Sequence, residues 1–302
     1  MNSLYKQSNV AKAYLKYRPV YSNDVAQTIM TYLQRHNGNN SLSSTYDLMV
    51  DVGCGSGQAT NIFPSYFKKI VGVDASENQI KCATEQNKFD HIQYVVGKAE
   101  ELPLTEKSVD LLVCGEAVHW FDLSKFLREV SRVLKPKGCM AIFGYWIQSI
   151  TRTINHSELF DDDASFHLTI NLLENMGRIA IPDSDVHDKI FYELIGGYKS
   201  TFEQISFPSK ERRDHISIKN TIKFADLCGF VCSLMDLEEL EAKRVQLDKI
   251  FGDVKEANVE KFDLFQAITK KMMKIWNDEN ETEEFEINFN VFILLACAAT
   301  DG

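Results

Sequence analysis

The sequence reads as an α/β protein with a doubly wound, mostly parallel sheet and an added helical lobe. Three features carry this reading. Short apolar runs alternate with helical segments between about residues 46 and 145, the pattern of strands joined by crossovers. A glycine-rich turn, "VGCGSG", follows the first of those runs without a break. A strand-like run, "FEINFNVFILLACA", returns near the end after a long stretch of helical periodicity.

The elements follow in order. Val25, Ile29, Tyr32 and Leu33 recur at helical spacing from Ser22 to His36, with Ser22 or Asn23 placed to cap, and "NGNNSLSST" after them is a polar loop. Five strands are then expected: "DLMVDV", "KIVGVD", "IQYVVG", "VDLLVCG" and "CMAIFGY". Between them "SENQIKCATEQNK" opens with the capping box of Ser76 and Gln79, and "SKFLREVSRVL" ends in "KPKG". Beyond residue 150 the rhythm becomes mainly helical. Val259, Phe262, Phe265, Ile268, Met272, Ile275 and Trp276 recur every three or four residues, a core-packing stripe. "TFEQISF" at 201–207 is a weaker strand candidate, and the terminal run at 286–302 is expected to rejoin the first sheet. The division expected is therefore a core at 1–150, a mainly helical lobe at 151–285 and the returning strand.

Composition narrows the function. The 302 residues carry a formal net charge of −10, which opposes a broad grip on a phosphate backbone, so no nucleic-acid partner is expected. The longest apolar run, Val291 to Ala299, is too short for a membrane helix, and the N-terminal stretch has no continuous apolar segment to act as a secretory signal. A cytoplasmic protein is the expectation. Seven scattered cysteines without a C-x-x-C pair argue against a disulfide framework and a structural zinc site, so no metal is expected. The oligomeric state is not legible.

In an open α/β sheet the ligand sits beyond the carboxyl ends of the strands, at the first βα turn. Gly53, Gly55 and Gly57 follow G-x-G-x-G, with Gln58 where a dinucleotide fingerprint would place its third glycine, and no G-K-[ST] follows to make a P-loop. Asp74 ends the second strand, where a carboxylate can accept from ribose hydroxyls. Glu100 follows the third strand near a neighbouring adenine. Asp51 just before the loop suits a cationic group better than a pyrophosphate. The ligand read from these positions has an adenosine and a positive end.

Together "VDVGCGSG", "VGVDAS", "GKAEELPL", "VDLLVCGEAVHWFD" and "VLKPKG" resemble a class I S-adenosylmethionine-dependent methyltransferase. "YLKYRPVYS" and "HWFD" are similar to the small-molecule group that includes trans-aconitate methyltransferases, with Ser22 where that group commonly has Pro. The resemblance implies a seven-stranded Rossmann-like sheet with S-adenosyl-L-methionine at its switch point and the helical lobe on the substrate side. It implies that Gly53, Gly55 and Gly57 pass under the methionine part, Asp74 holds the ribose, Ala99 and Glu100 flank the adenine and Glu116 lies near the methionine. Tyr14, Tyr17, Arg18 and Tyr21 form a segment able to fold over the cofactor, with Arg18 a possible carboxylate contact. No N-P-P-Y-like motif, common in nucleic-acid amine methylases, follows the fourth strand.

A sulfonium methyl is already activated, so alignment and exclusion of water are the main requirements. His119 is either a base, a hydrogen bond donor to substrate or a packing residue, and Trp120 either walls the acceptor pocket or fills the loop. Arg152, Arg178, Arg212 and Arg213 are either clamps for an acidic substrate or, each taken alone, solvated charges. "FDDDAS" lacks calcium-loop spacing and reads as a solvated helix start. Carboxyl O-methylation of a small molecule is the leading expectation. Phenolic O- or C-methylation, a non-catalytic protein binding a lipid or partner, and a nicotinamide dehydrogenase are the alternatives.

Overall fold

The computed structural model describes residues 18–38, 45–153, 162–181, 183–234, 240, 244–251, 264–278 and 283–299. Seven strands form one sheet in the order β3-β2-β1-β4-β5-β7-β6. They are β1 (Tyr46–Val52), β2 (Phe67–Asp74), β3 (Ile92–Val96), β4 (Val109–Gly115), β5 (Leu134–Arg152), β6 (Ser209–Lys223) and β7 (Glu284–Cys297). The first five are parallel, and β7 runs antiparallel between β5 and β6. The chain steps outward from β1 to β3 and then returns to lay β4 on the other side of β1. The switch point, with its crevice beyond the carboxyl ends, therefore lies between β1 and β4.

The central strands are covered on both faces, which is why they read as continuous apolar runs rather than alternating ones. Met49, Leu111, Val113, Ala141 and Phe143 face one core, while Val50, Val52, Leu112, Cys114, Met140 and Ile142 face the other. The first core is covered by α1 (Asn23–Asn37), which buries Val25, Ile29 and Leu33. Ser22 stands at its N-cap in extended conformation but makes no capping bond through its side chain, and Gly38 closes the helix in the left-handed region. The second core is covered by α3 (Leu123–Val133), whose Phe126, Val130 and Val133 are fully buried and whose cap is Asp122, accepting from the Lys125 amide. At α2 (Glu77–Gln86) Ser76 accepts from the Gln79 amide as the capping box requires.

The lobe grows from strands that outrun the parallel sheet. Phe143 is the last β5 residue paired with β4, yet β5 continues alongside β7 until Arg152 meets Phe285. On this extension pack α4 (Asp162–Ala180) and α5 (Ser184–Ile195), followed by the short α6 (Lys199–Gln204). After β6 come α7 (Phe224–Ser233), α8 (Arg244–Phe251) and α9 (Leu264–Trp276). The expected stripe on α9 holds for Ile268, Met272 and Trp276, all fully buried, whereas Phe265 is exposed and Leu264 takes the inward place. Val259 and Phe262 lie outside the described residues.

One expectation is corrected. Residues 201–207 are not a strand: 199–204 is helical, and the strand is β6 at Ser209–Lys223, so the segment from 208 to 285 is not simply helical. The reason is that β6 is the outer strand. It needs only Ile216 and Ile218 buried, and the charges of "SKERRDHISIKNTIK" protect an edge from further pairing while hiding its strand pattern. Among the described residues no helix is long and apolar enough to cross a membrane.

Candidate active site

The carboxyl ends of β1, β2 and β4 bring most of the expected residues together. Gly53, Gly55 and Gly57 all have positive φ, at 71°, 53° and 89°, so the chain doubles back without side chains. A Cβ on Gly57 would stand 2.5 Å from the Tyr94 hydroxyl, and one on Gly53 would meet Ala117 at the same distance. Gly55 differs: a Cβ there would find nothing nearer than Gln79 Oε1 at 4.0 Å, so its bare backbone faces an open cradle. Asp74 fastens the loop, accepting from the Gly55 amide at 2.9 Å and from the Ser76 amide at 2.8 Å. Burial raises its pKa, partly offset by those amides. Each of its oxygens keeps a second lone pair.

Asp51 is fully buried between Gly72 and Val113 of the flanking strands. Its Oδ2 accepts from the Thr60 hydroxyl at 2.6 Å, while Oδ1 has no partner. Burial pushes its pKa up to about 7, against the Thr60 bond and with the Asp74 charge adding to the rise. Ser56 Oγ and Gln79 Oε1 around the same loop are likewise buried without a partner. Buried polar atoms left unmatched in one place can be completed there by a polar ligand or by ordered water. Ala99 is buried after β3, and Glu100 Oε1 accepts from the Asp122 amide at 2.9 Å, tying that turn to the start of α3.

Beyond β4 a cavity of about 150 Å³ opens between the sheet and the lobe. Arg18, Glu116, His119, Trp120 and Tyr145 give it a polar wall, and Trp146, Leu173, Phe191 and Phe230 an apolar one. Glu116 has φ of 54°, which points its carboxylate inward to accept from the Tyr145 amide at 2.7 Å. Burial raises its pKa to about 7, with Arg18 acting to lower it. His119 Nδ1 pairs with the Tyr198 hydroxyl at 2.7 Å. Burial, with the positive charges of Arg18 and Lys189, holds its pKa down at about 3, so the ring is neutral. Arg18 donates to the Tyr145 hydroxyl and to the Ser233 carbonyl, both at 3.3 Å, joining the first helix's approach to the lobe.

Tyr14 and Tyr17 lie outside the described residues, and Tyr21 packs edge-on against Phe143 and Tyr145. The arginines of the lobe are used in the framework instead of in the cavity. Arg152 binds Asp162, which opens α4, and the Trp276 carbonyl. Arg178 pairs with Glu174 and Asp188, Arg212 with Asp214 and the Gly197 carbonyl, and Arg213 with Glu211. Sequence reasoning missed Tyr198, Tyr145 and Gln79. Only the first had a local signal: "GGY" places two glycines before a residue held at φ of 57°, where the turn aims the Tyr198 hydroxyl at His119.

A family model described as a methyltransferase domain matches residues 50–142. A Dictyostelium discoideum protein named as a methyltransferase is 26% identical over 293 residues, 96% of this chain and 94% of its own length. A Saccharomyces cerevisiae protein named as an S-adenosylmethionine-dependent methyltransferase is 32% identical over 140 residues, 45% of each chain. The chain thus spans nearly all of the first relative and under half of the second. Among solved structures, one described as a type II methyltransferase from Anaeromyxobacter dehalogenans aligns with a TM-score of 0.59 at 19% identity, covering 94% of this chain and 99% of that one. At that identity the likeness is one of fold.

Proposed function

Since the chain is a class I S-adenosylmethionine-dependent methyltransferase, we propose that it methylates the carboxylate of a small molecule. The residues around the glycine loop fit the cofactor. The open cradle at Gly55 and the unmatched Asp51 Oδ1, Ser56 Oγ and Gln79 Oε1 would receive its polar groups. Asp74 would accept from the ribose hydroxyls with its remaining lone pairs. Ala99 and Glu100 would border the adenine, and Asp51 and Glu116 would face the cationic methionine end, where a positive charge favours their ionised forms. When bound, S-adenosyl-L-methionine supplies a methyl group already activated on sulfur.

The protein's task is then positioning. Arg18 is the cation lining the cavity, and its guanidinium can hold an acceptor carboxylate while Trp120 and the apolar lobe wall exclude water. The observation that carries the reading is the burial of His119 against the Tyr198 hydroxyl. A buried imidazole with a pKa near 3, already joined to Tyr198, is a poor base at neutral pH. A carboxylate is ionised without help and needs none, whereas a phenol or a carbon acid does. His119 would therefore position the acceptor rather than deprotonate it. The similarity of "YLKYRPVYS" and "HWFD" to trans-aconitate methyltransferases agrees with an acidic acceptor.

The test is methyl transfer to a panel of small carboxylic acids, phenols and carbon acids, with native enzyme and His119→Asn. The expected result is turnover of acids, with kcat in the variant reduced by no more than about tenfold, whereas loss of a general base would cost about 10²–10⁴. Turnover confined to phenols or carbon acids, collapsing in the variant, overturns the reading.

A further inference from the structure

At the end of the sheet opposite the glycine loop, three strands align a row of side chains. The register sets Cys139 of β5 opposite Cys297 of β7, and Cys297 opposite Ser209 of β6. Residues directly opposite in an antiparallel pair project to the same face, here the face covered by α1, to whose core both cysteines belong. His36, in the last turn of α1, reaches over this row. Its Nε2 lies 2.9 Å from Ser209 Oγ and its Nδ1 3.0 Å from the Tyr32 carbonyl. A carbonyl only accepts, so Nδ1 carries the proton and Nε2 presents its lone pair to the row. A carbonyl holding one ring nitrogen is the usual support of a metal-ligating histidine, and the Nε2 lone pair, which accepts from the Ser209 hydroxyl here, is the one an ion would take. His36 Nε2 or Nδ1, Cys139 Sγ and Cys297 Sγ offer donors that all lie within 4.8 Å of one another.

We propose that His36, Cys139 and Cys297 bind a zinc ion. Two sulfurs and one imidazole suit a borderline-soft cation and not magnesium or calcium. Around a tetrahedral zinc, with bonds of about 2.3 Å to sulfur and 2.0–2.1 Å to nitrogen, donors stand roughly 3.5–3.8 Å apart, so no pair in the cluster has to close by more than about 1.3 Å. Binding breaks two S–H bonds, forms two Zn–S bonds and one Zn–N bond, and releases both protons to solvent. The two thiolates then balance the charge of the ion in a buried place. Ser209 Oγ, bonded to Nε2 in this structure, would yield that lone pair to the ion. The ion would join α1, β5 and β7, residues 36, 139 and 297 being distant in sequence, at a place remote from the methyl-transfer cavity.

The experiment uses the full chain, stripped of metal, reduced, and freed of reductant under anaerobic conditions. Cobalt(II) is titrated as a spectroscopic probe and then displaced by zinc. The expected result is one equivalent of cobalt with thiolate charge-transfer absorption in the near ultraviolet and visible bands of a tetrahedral site, both bleached by zinc. His36→Gln and Cys297→Ala, each checked for native far-ultraviolet circular dichroism, weaken binding at least about tenfold. Cys82→Ala, on α2, leaves it unchanged. His36→Gln keeps a side chain able to bond Ser209, so a folded variant is at hand even if the buried cysteine does not tolerate replacement. Absence of the thiolate bands in reduced native protein, or bands that persist in His36→Gln, overturns the proposal.

Discussion

Asp51, one residue before the end of β1, and Asp74, the last residue of β2, lie under the glycine loop, and neither is arranged as an ordinary surface carboxylate. Asp74 is expected to matter through its free lone pairs. Asp74→Ala should weaken S-adenosylmethionine binding by at least about tenfold in calorimetric titration, the cost of leaving polar ligand groups unmatched in a buried site. Unchanged affinity would remove Asp74 from the site. Asp51 makes a different prediction through pH. Its pKa is about 7 in the folded chain against an ordinary value of 3.8, so between those values the native state holds a proton that the unfolded state has lost. That contribution is complete below about pH 4 and disappears as pH rises through 7. Over this window it amounts to roughly 4 kcal/mol at most. Glu116, also raised to about 7, adds in the same direction. Asp51→Asn, measured by thermal unfolding from pH 4.5 to 7.5, should gain stability relative to the native chain as pH increases. A constant difference across that range would contradict the buried, unmatched carboxylate.

At the level of elements, the lobe is fastened through α9. Trp276 is fully buried, lies edge-on to Phe285 of β7 with ring centroids 4.9 Å apart and donates from Nε1 to Thr169 of α4 at 3.0 Å. Trp276→Ala should cost about 3–5 kcal/mol in urea unfolding. Because α4 also supplies Leu173 to the cavity proposed to take the acceptor, the same variant should raise the acceptor KM while leaving the affinity for S-adenosylmethionine within about twofold. Loss of both in parallel would mean that the lobe supports the glycine loop too. The elements also differ in how openly the sequence displays them. Strands β1 to β5 are legible because burial on both faces demands unbroken apolar runs, and the glycine loop because three positive φ angles exclude other residues. Edge strand β6 is not, since solvent on one side permits Lys210, Arg212 and Lys219. The partners of Arg152, Arg178, Arg212 and Arg213 are not legible, because a sequence shows a charge but not what it pairs with. The cluster of His36, Cys139 and Cys297 is invisible for another reason: the register of β5 with β7 and the packing of α1 on the sheet bring it together.

For the whole molecule, β5 and β7 are the decisive feature, since the same two strands form the sheet beside β4 and, farther along, the floor of the lobe. A lobe attached by a linker could melt independently, whereas one built on continuations of core strands shares their hydrogen bonds. The chain should therefore unfold in a single transition. Of its three tryptophans, Trp120 and Trp146 line the cavity and Trp276 lies in the lobe, so a Trp120→Phe, Trp146→Phe double variant leaves one tryptophan, whose selectively excited emission reports the lobe alone. Its fluorescence midpoint in urea should coincide with the far-ultraviolet circular dichroism midpoint of the same variant, which reports the whole sheet. Adding S-adenosylmethionine at about 100 times its dissociation constant should then stabilise both transitions equally, by about 2.7 kcal/mol, because the cofactor binds only the folded state. If the fluorescence midpoint came first and stayed fixed while the other moved, the lobe would be a separate unit, and the cavity between it and the sheet would be able to open without loss of the glycine-loop site.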